Sequence, residues 1–255
     1  MDRADHADQR DRPLAETVLA IGAVTLLTVV IAWLGRGTPL DAYVHLAVGV
    51  LFLVAALQLA QRQPGGIERY GLALGGLLEP PNEAPEGALG SLLDLGRALV
   101  RALPSGLREI GYALLVALLV FPPFILGFYA WHGPDHAFVL TLPDDLPAYV
   151  LTQLLVVGLP EEALFRGYAQ SRLHEAFPER VRVLGAELSL RALVLQAALF
   201  ALIHFAVEAE PARLAVFFPG LLFGWMRAAR GGIGAAIVFH ALCNLLGAIL
   251  ARGWL

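Results

Sequence analysis

The chain has 255 residues, of which 58% are hydrophobic and only 16% charged, whereas a soluble domain has about 25% charged residues. This composition excludes an ordinary soluble domain and indicates a membrane protein. The net charge of −4 and the lack of a basic patch with interleaved aromatics argue against a nucleic-acid partner. The single cysteine, Cys243, excludes an internal disulfide and a cysteine-based zinc cluster.

The chain begins with alternating Asp and Arg residues, and we predict a solvated tail over residues 1–13. Seven apolar runs follow that approach the ~20 residues needed to cross a bilayer. Since only helices or closed barrels span lipid, and strict alternation is absent, all seven are predicted to be helices of one membrane domain, 1–255. These runs are residues 14–34, 42–61, 108–130, 147–171, 190–208, 212–229 and 232–251.

The basic residues are all arginine, and successive connections are alternately rich and poor in arginine. The rich segments are the amino-terminal tail and the connections after the second, fourth and sixth spans. By the positive-inside rule, the amino terminus is predicted in the cytoplasm and the carboxyl terminus outside. The use of arginine alone favours a GC-rich bacterial source, and therefore the bacterial inner membrane.

The connection 62–107 is predicted to be mostly loop, because it contains breakers at 64–66 and 80–85. Between these breakers and Pro104, leucines 92, 95, 99 and 103 share a helical face opposite Asp94, Arg97 and Arg101. This pattern predicts an amphipathic helix that either lies on the cytoplasmic membrane surface or packs on a neighbouring span.

The fourth span contains Glu161, Glu162 and Arg166 within an otherwise apolar run. Each charge near the middle of a bilayer costs about 2.5–3.5 kcal/mol, so the cluster needs a reason. Glu162 and Arg166 are four residues apart and are predicted to pair, which leaves Glu161 as the freer carboxylate and a candidate general base. Pro160 has no N–H and predicts a kink just before the cluster. The alternative is a purely structural ion network that locks the helices together.

Two later spans contribute further polar side chains. The fifth has Gln196, Phe200 and His204 at four-residue spacing, and the seventh has His240 and Asn244 on one face. A carboxylate base, a histidine that orients water and two donors for a developing oxyanion are the parts of amide hydrolysis without a covalent intermediate.

The same residue types leave a metal mechanism open. Glu161, His204 and His240 are ligand types for zinc, with water as the fourth ligand. The spacing does not argue for a metal, because no HExxH motif is present. The sequence therefore predicts either no cofactor or a divalent metal such as zinc.

Glu161-Glu162-Ala163-Leu164-Phe165-Arg166, Phe200 to His204, and His240 to Asn244 form the motifs EExxxR, FxxxH and HxxxN, in that order. Together they resemble the CPBP family (CAAX proteases and bacteriocin-processing enzymes, also called Abi), which is similar to the type II CAAX prenyl endopeptidase. The resemblance covers roughly 145–250, which we take as the catalytic core. The composition also resembles that of myxosortase-type members, which process carboxyl-terminal sorting tails.

The resemblance implies an intramembrane endopeptidase that cuts membrane-attached proteins near the carboxyl terminus. It implies that Glu161 activates water with His204 as its partner, and that His240 and Asn244 stabilise the oxyanion. Glu162 and Arg166 match the remaining positions of the first motif and would shape the site. The family has been described both as metalloproteases and as glutamic-type proteases, and the sequence does not decide between them.

Two other classes of function remain open from the sequence. One is a non-catalytic membrane scaffold or immunity-type protein that binds a peptide in the same pocket. The other is a transporter, for which intramembrane carboxylates are also typical, although the chain has no repeated halves.

Overall fold

A computed structural model describes the backbone of residues 3–76 and 87–255 and the side chains of 12–75 and 94–255. We number eight α-helices and two strands in chain order. The helices are α1 Arg3–Gly35, α2 Val44–Gln61, α3 Gly66–Arg69, α4 Gly87–His132, α5 Leu146–Ala176, α6 Leu190–Val207, α7 Phe217–Arg230 and α8 Gly234–Trp254. The strands are β1 Val181–Val183 and β2 Ala186–Leu188. Three 3-10 turns add Asp41–Tyr43, Leu74–Gly76 and Pro211–Val216.

The protein is an all-α polytopic bundle, and in the described part of the chain six helical segments are long and apolar enough to cross a membrane. These are Arg12–Gly35, Asp41–Gln61, Asp94–His132, Leu146–Ala176, Leu190–Val207 and Gly234–Trp254. The run predicted as the sixth span, 212–229, differs. Its α-helix, α7, has only 14 residues and follows a 3-10 turn at Pro211–Val216, so the predicted count of seven spanning helices is not confirmed.

The contacts at the two ends of the bundle nevertheless indicate that the segment containing α7 runs from one end of the bundle to the other. At one end, which we call the arginine-rich end, Glu16 of α1 pairs with Arg172 of α5, and the Ile233 N–H before α8 donates to Gly71 O at 3.2 Å. At the opposite end Arg36 donates to Val207 O at 3.4 Å. Successive passes alternate in direction, so the chain begins near the arginine-rich end and ends at the other.

Two large hydrophobic clusters form the core, and a smaller third cluster lies under the hairpin around Leu188 and Leu193. One joins α1, α2, α5 and α6, where the Phe165 ring packs edge-on against Phe52 and Phe200 at 6.1 and 5.1 Å. The other joins α4, α7 and α8 around Phe223 and Phe239. The polar residues of α5 lie where these two clusters meet.

The connection between α2 and α4 differs from its prediction. The amphipathic segment is not a separate helix, because α4 runs unbroken from Gly87 to His132 with Pro104 inside it. Leu95, Leu99 and Leu103 are about half exposed, while Arg97 pairs with Asp94 at 3.1 Å. The predicted breaker at 80–85 and the side chain of Leu92 lie outside the described residues, as do the side chains of residues 1–11 of the predicted tail, whose backbone is helical from Arg3.

A short antiparallel hairpin, β1–β2, is an addition that the sequence pattern does not predict. Leu184 and Gly185 occupy its turn with φ of +47° and +85°, the pair of positive values that a two-residue hairpin turn requires. Trp225 of α7 donates its indole N–H to Val183 O at 3.0 Å. The hairpin, which lies in the connection between α5 and α6, is thereby held against α7.

Candidate active site

The helix that holds the acidic pair is irregular. Within α5 two π-helical segments, Gln153–Gly158 and Ala163–Ala169, flank a single α-helical turn, Leu159–Glu162. Such wide turns are rare in helices and frequently occur at functional sites. The structure has a widened turn on either side of Pro160, at the place where the sequence predicts a kink.

Close packing explains how the first wide turn is held. Pro160 cannot donate to Val156 O, and this carbonyl faces α2 so closely that a Cβ on Gly49 would lie 2.5 Å from it. On the other side, a Cβ on Gly158 would lie 2.9 Å from Gln153 O and 3.3 Å from Ile237 O of α8. Glycine at both positions lets α2 and α8 approach α5 and fix its backbone.

Glu162 and Arg166 form a fully buried ion pair. Arg166 Nη1 donates to Glu162 Oε1 at 3.1 Å, and both side chains are 0% exposed, as their four-residue spacing predicts. The guanidinium lies 4.1 Å from the ring centre of Phe200 and 4.9 Å from that of Phe223. Its Nη2 donates to Gly220 O at 3.3 Å. The cation is thus enclosed by both core clusters as well as by its carboxylate.

His240 of α8 joins this pair. Its Nδ1 lies 2.9 Å from Glu162 Oε1, and its ring stacks on Phe223 at 4.9 Å. Since a carboxylate oxygen only accepts, Nδ1 is the protonated nitrogen in this contact. The second nitrogen, Nε2, therefore faces the remaining carboxylate.

Glu161 is placed differently from its neighbour. Its Oε2 lies 3.9 Å from His204 Nε2 and 3.8 Å from His240 Nε2. This oxygen is buried and makes no direct hydrogen bond. His204 Nδ1 lies 2.8 Å from Phe200 O, so its Nε2 is the nitrogen that is available to the site. Three polar atoms from three helices thus converge at a separation that suits one bridging water.

The polar atoms around Glu161 lie farther apart than the ligand atoms of a tetrahedral zinc ion. Ligand atoms about 2.0–2.1 Å from a tetrahedral zinc lie roughly 3.3 Å apart, which is closer than the 3.8 and 3.9 Å found around Glu161. Within the described part of the chain, no group of three or more His, Cys, Asp or Glu side chains has an arrangement that could hold a metal ion.

Five of the six residues predicted from the sequence contact one another, namely Glu161, Glu162, Arg166, His204 and His240. Asn244 instead contacts a partner that the sequence pattern does not predict. Asn244 Nδ2 donates to Gln153 Oε1 at 2.7 Å, and the Tyr149 hydroxyl donates to Asn244 O at 3.3 Å. The signal that could have indicated Gln153 is an amide inside an apolar run. Gln196, predicted to share the stripe of His204, instead donates to Gly220 O at 2.9 Å and buttresses α7.

Comparison with known proteins gives one finding. Residues 143–246 match the family of the type II CAAX prenyl endopeptidase, Rce1-like. Neither the curated proteins nor the solved structures include a significant match. The matched range includes α5 to α8 up to Leu246 and with them every residue of the site. Residues 143–246 are therefore similar to the CAAX protease family, and this match supports an integral membrane endopeptidase of the CAAX type, from a family that acts on membrane-attached protein substrates.

Proposed function

We propose that the protein hydrolyses a peptide bond within the membrane by a glutamic mechanism, with Glu161 as the base that activates water. The observation that supports this most is the convergence of Glu161 Oε2 with the Nε2 atoms of His204 and His240 at 3.9 and 3.8 Å. A water held by Glu161 and His204 would be in position to attack a carbonyl carbon that lies between α5 and α8.

The reaction then needs no covalent intermediate. Glu161 takes a proton from water as the oxygen attacks the scissile carbonyl, whose electrons move to its oxygen. His240 and Asn244 stabilise that oxyanion. The proton held by Glu161 passes to the amide nitrogen as the C–N bond breaks, and the carboxylate is restored.

The proton positions of the two histidines support distinct roles. His204 donates from Nδ1 to Phe200 O, so its neutral ring accepts a hydrogen bond from water at Nε2. His240 donates from Nδ1 to Glu162, and it can donate from Nε2 to an oxyanion only as an imidazolium.

Glu162 and Arg166 have an architectural role in this scheme. Their mutual attraction offsets much of the free-energy cost of burying two charges. Glu162 Oε1 also orients the His240 ring by accepting from its Nδ1. Neither reaches the point where Glu161 and the two histidines converge.

The substrate we propose is a membrane-attached protein that is cut near its carboxyl terminus, in the manner of a sorting tail. The resemblance to CAAX and myxosortase-type proteases supports this class. We further propose a bacterial inner-membrane location with the arginine-rich end in the cytoplasm, which the positive-inside rule supports.

The test is tail processing in cells that lack this protein. Membrane proteins with uncleaved carboxyl-terminal tails are identified by mass spectrometry, and the chain or its variants are then supplied. We expect Glu161→Gln and His204→Ala to slow processing by about 10²–10⁴-fold, the usual contribution of acid–base groups. Glu210→Gln, at an exposed glutamate between α6 and α7, is the matched control and should process normally.

Normal processing by both Glu161→Gln and His204→Ala would contradict the mechanism. If only Glu161→Gln retained function, the base would have to be another group. Accumulation of no tail at all in the deleted cells would contradict the proposed substrate class.

A further inference from the structure

Asn244 is held at two points by a pair of side chains outside the family motifs. Its amide Nδ2 donates to Gln153 Oε1 at 2.7 Å, and its backbone carbonyl accepts from the Tyr149 hydroxyl at 3.3 Å. Tyr149 and Gln153 are four residues apart and share a face of α5. One face of α5 therefore holds both the side chain and the backbone of this residue of α8.

The contact with Gln153 constrains how Asn244 can act. An asparagine amide has two N–H groups in one plane. When one is donated to Gln153, the direction of the other is fixed by that plane. Oxyanion stabilisation depends on donors that are oriented before the charge develops, since reorientation during the reaction costs free energy.

We propose that Gln153 is a positioning residue that orients the Asn244 amide for oxyanion stabilisation, with Tyr149 steadying the backbone beneath it. This inference rests on the proposed function, because it assigns a purpose to Gln153 only if Asn244 donates to the oxyanion. It adds a residue that none of the EExxxR, FxxxH and HxxxN motifs includes.

The position of Gln153 in α5 links this support to the acidic pair. Gln153 is the first residue of the π-helical segment that precedes Glu161. Because Gly158 has no side chain, the carbonyls of Gln153 and Ile237 can lie close to it. The same widened turn thus sets both the base and the support of the oxyanion donor. A change in this turn would displace the two together.

The experiment measures the rate of tail processing in complemented cells for five forms of the full chain. Asn244→Ala should slow cleavage about 10²-fold or more, as for loss of one oxyanion donor. Gln153→Ala should slow it roughly tenfold, a smaller loss because the amide remains but is free to rotate. Gln153→Glu keeps an acceptor and should stay within about threefold of the natural chain, as rescue by an acceptor predicts.

The fifth form, Gln153→Ala with Asn244→Ala, should be no slower than Asn244→Ala alone, because residues that act as a unit are not additive. A merely structural role would instead slow the double variant further, and Gln153→Glu would fail as Gln153→Ala does. Either result, or unchanged processing by Gln153→Ala beside a slow Asn244→Ala, would overturn the inference and leave the proposed function intact. Normal processing by Asn244→Ala would overturn the oxyanion assignment itself.

Discussion

Arg166 illustrates that individual residues of this site have separate roles. Its guanidinium is fully buried, pairs with Glu162 and lies between the Phe200 and Phe223 rings. Desolvation makes such a pair a weak source of stability, but removal of one partner leaves an uncompensated charge. Arg166 is therefore required by Glu162 rather than by the chemistry at Glu161.

Arg166→Met is expected to destabilise the fold by about 3–5 kcal/mol, because Glu162 would stay buried without its cation. The double variant Arg166→Met with Glu162→Gln should recover much of that loss, since the glutamine oxygen can still accept from His240. Thermal unfolding in detergent measures both. A double variant less stable than Arg166→Met would contradict the assignment of the pair as a charge-compensated unit.

The spacing around Glu161 also predicts how the enzyme responds to chelators. Tail cleavage in isolated membranes should stay within about twofold of its starting rate after treatment with EDTA, because the proposed mechanism uses acid–base groups and no metal. A zinc-dependent protease added to the same membranes is the control and should be inactivated. Loss of tail cleavage that zinc restores would favour the metal alternative built on Glu161, His204 and His240.

At the scale of elements, the two π-helical segments of α5 determine where the acidic pair lies. The first is held between α2 and α8 by glycines too close to their neighbours to accept a side chain without a shift. Since interiors are closely packed, such contacts transmit displacement rather than absorb it. Glu161 is therefore placed by the packing of α5 against α2 and α8, and not by helix propensity.

Gly158→Ala tests this packing. Its Cβ would lie 2.9 Å from Gln153 O and 3.3 Å from Ile237 O, so we expect about 1–3 kcal/mol of overpacking cost together with slower tail processing. Gly247→Ala is the matched control on α8, because a Cβ there has nothing within 4 Å. Unfolding curves and processing rates that were the same for both variants would contradict the role of the close contact.

At the scale of the whole molecule, helices that alternate in direction place the start of α1 and the end of α8 at opposite ends of the bundle. The arginine-rich end includes the ion pair of Arg230 with Glu109 at 2.6 Å and the start of α1. The opposite end includes the connection 133–145, where Val139 N donates to Gly253 O at 3.2 Å. The arginine bias then predicts which end faces the cytoplasm.

Cysteine labelling checks that orientation. In a Cys243→Ala background, Asp135→Cys at the opposite end should react in intact cells with a membrane-impermeant thiol reagent. Glu187→Cys in the hairpin should react only after the cells are opened, since both positions are exposed but lie on different sides. The reverse pattern would invert the topology while leaving the fold unchanged.

Much of the site was predictable because its chemistry follows local spacing. The four-residue separation of Glu162 and Arg166 predicted their pairing and left Glu161 apart, and the histidine motifs lie on separate spans. Gln153 was not predictable, since its partner Asn244 is 91 residues away and the contact depends on how α5 packs against α8. The π-helical turns leave no periodic signal. The 3-10 turn at Pro211–Val216 shortens the α-helix in a run that hydropathy alone treats as continuous.

The π-helical turns of α5 also change the effect that deletion of one residue would have on the helix. In a regular helix, loss of one residue rotates everything beyond it by about 100°. A π-helical turn already holds one residue more than an α-helical turn, so a deletion inside Gln153–Gly158 could revert it to an ordinary turn with both flanking faces kept. Such a deletion should leave an inserted, folded chain in which Glu161 stays on the same helix face and only the widened turn after Gln153 is lost.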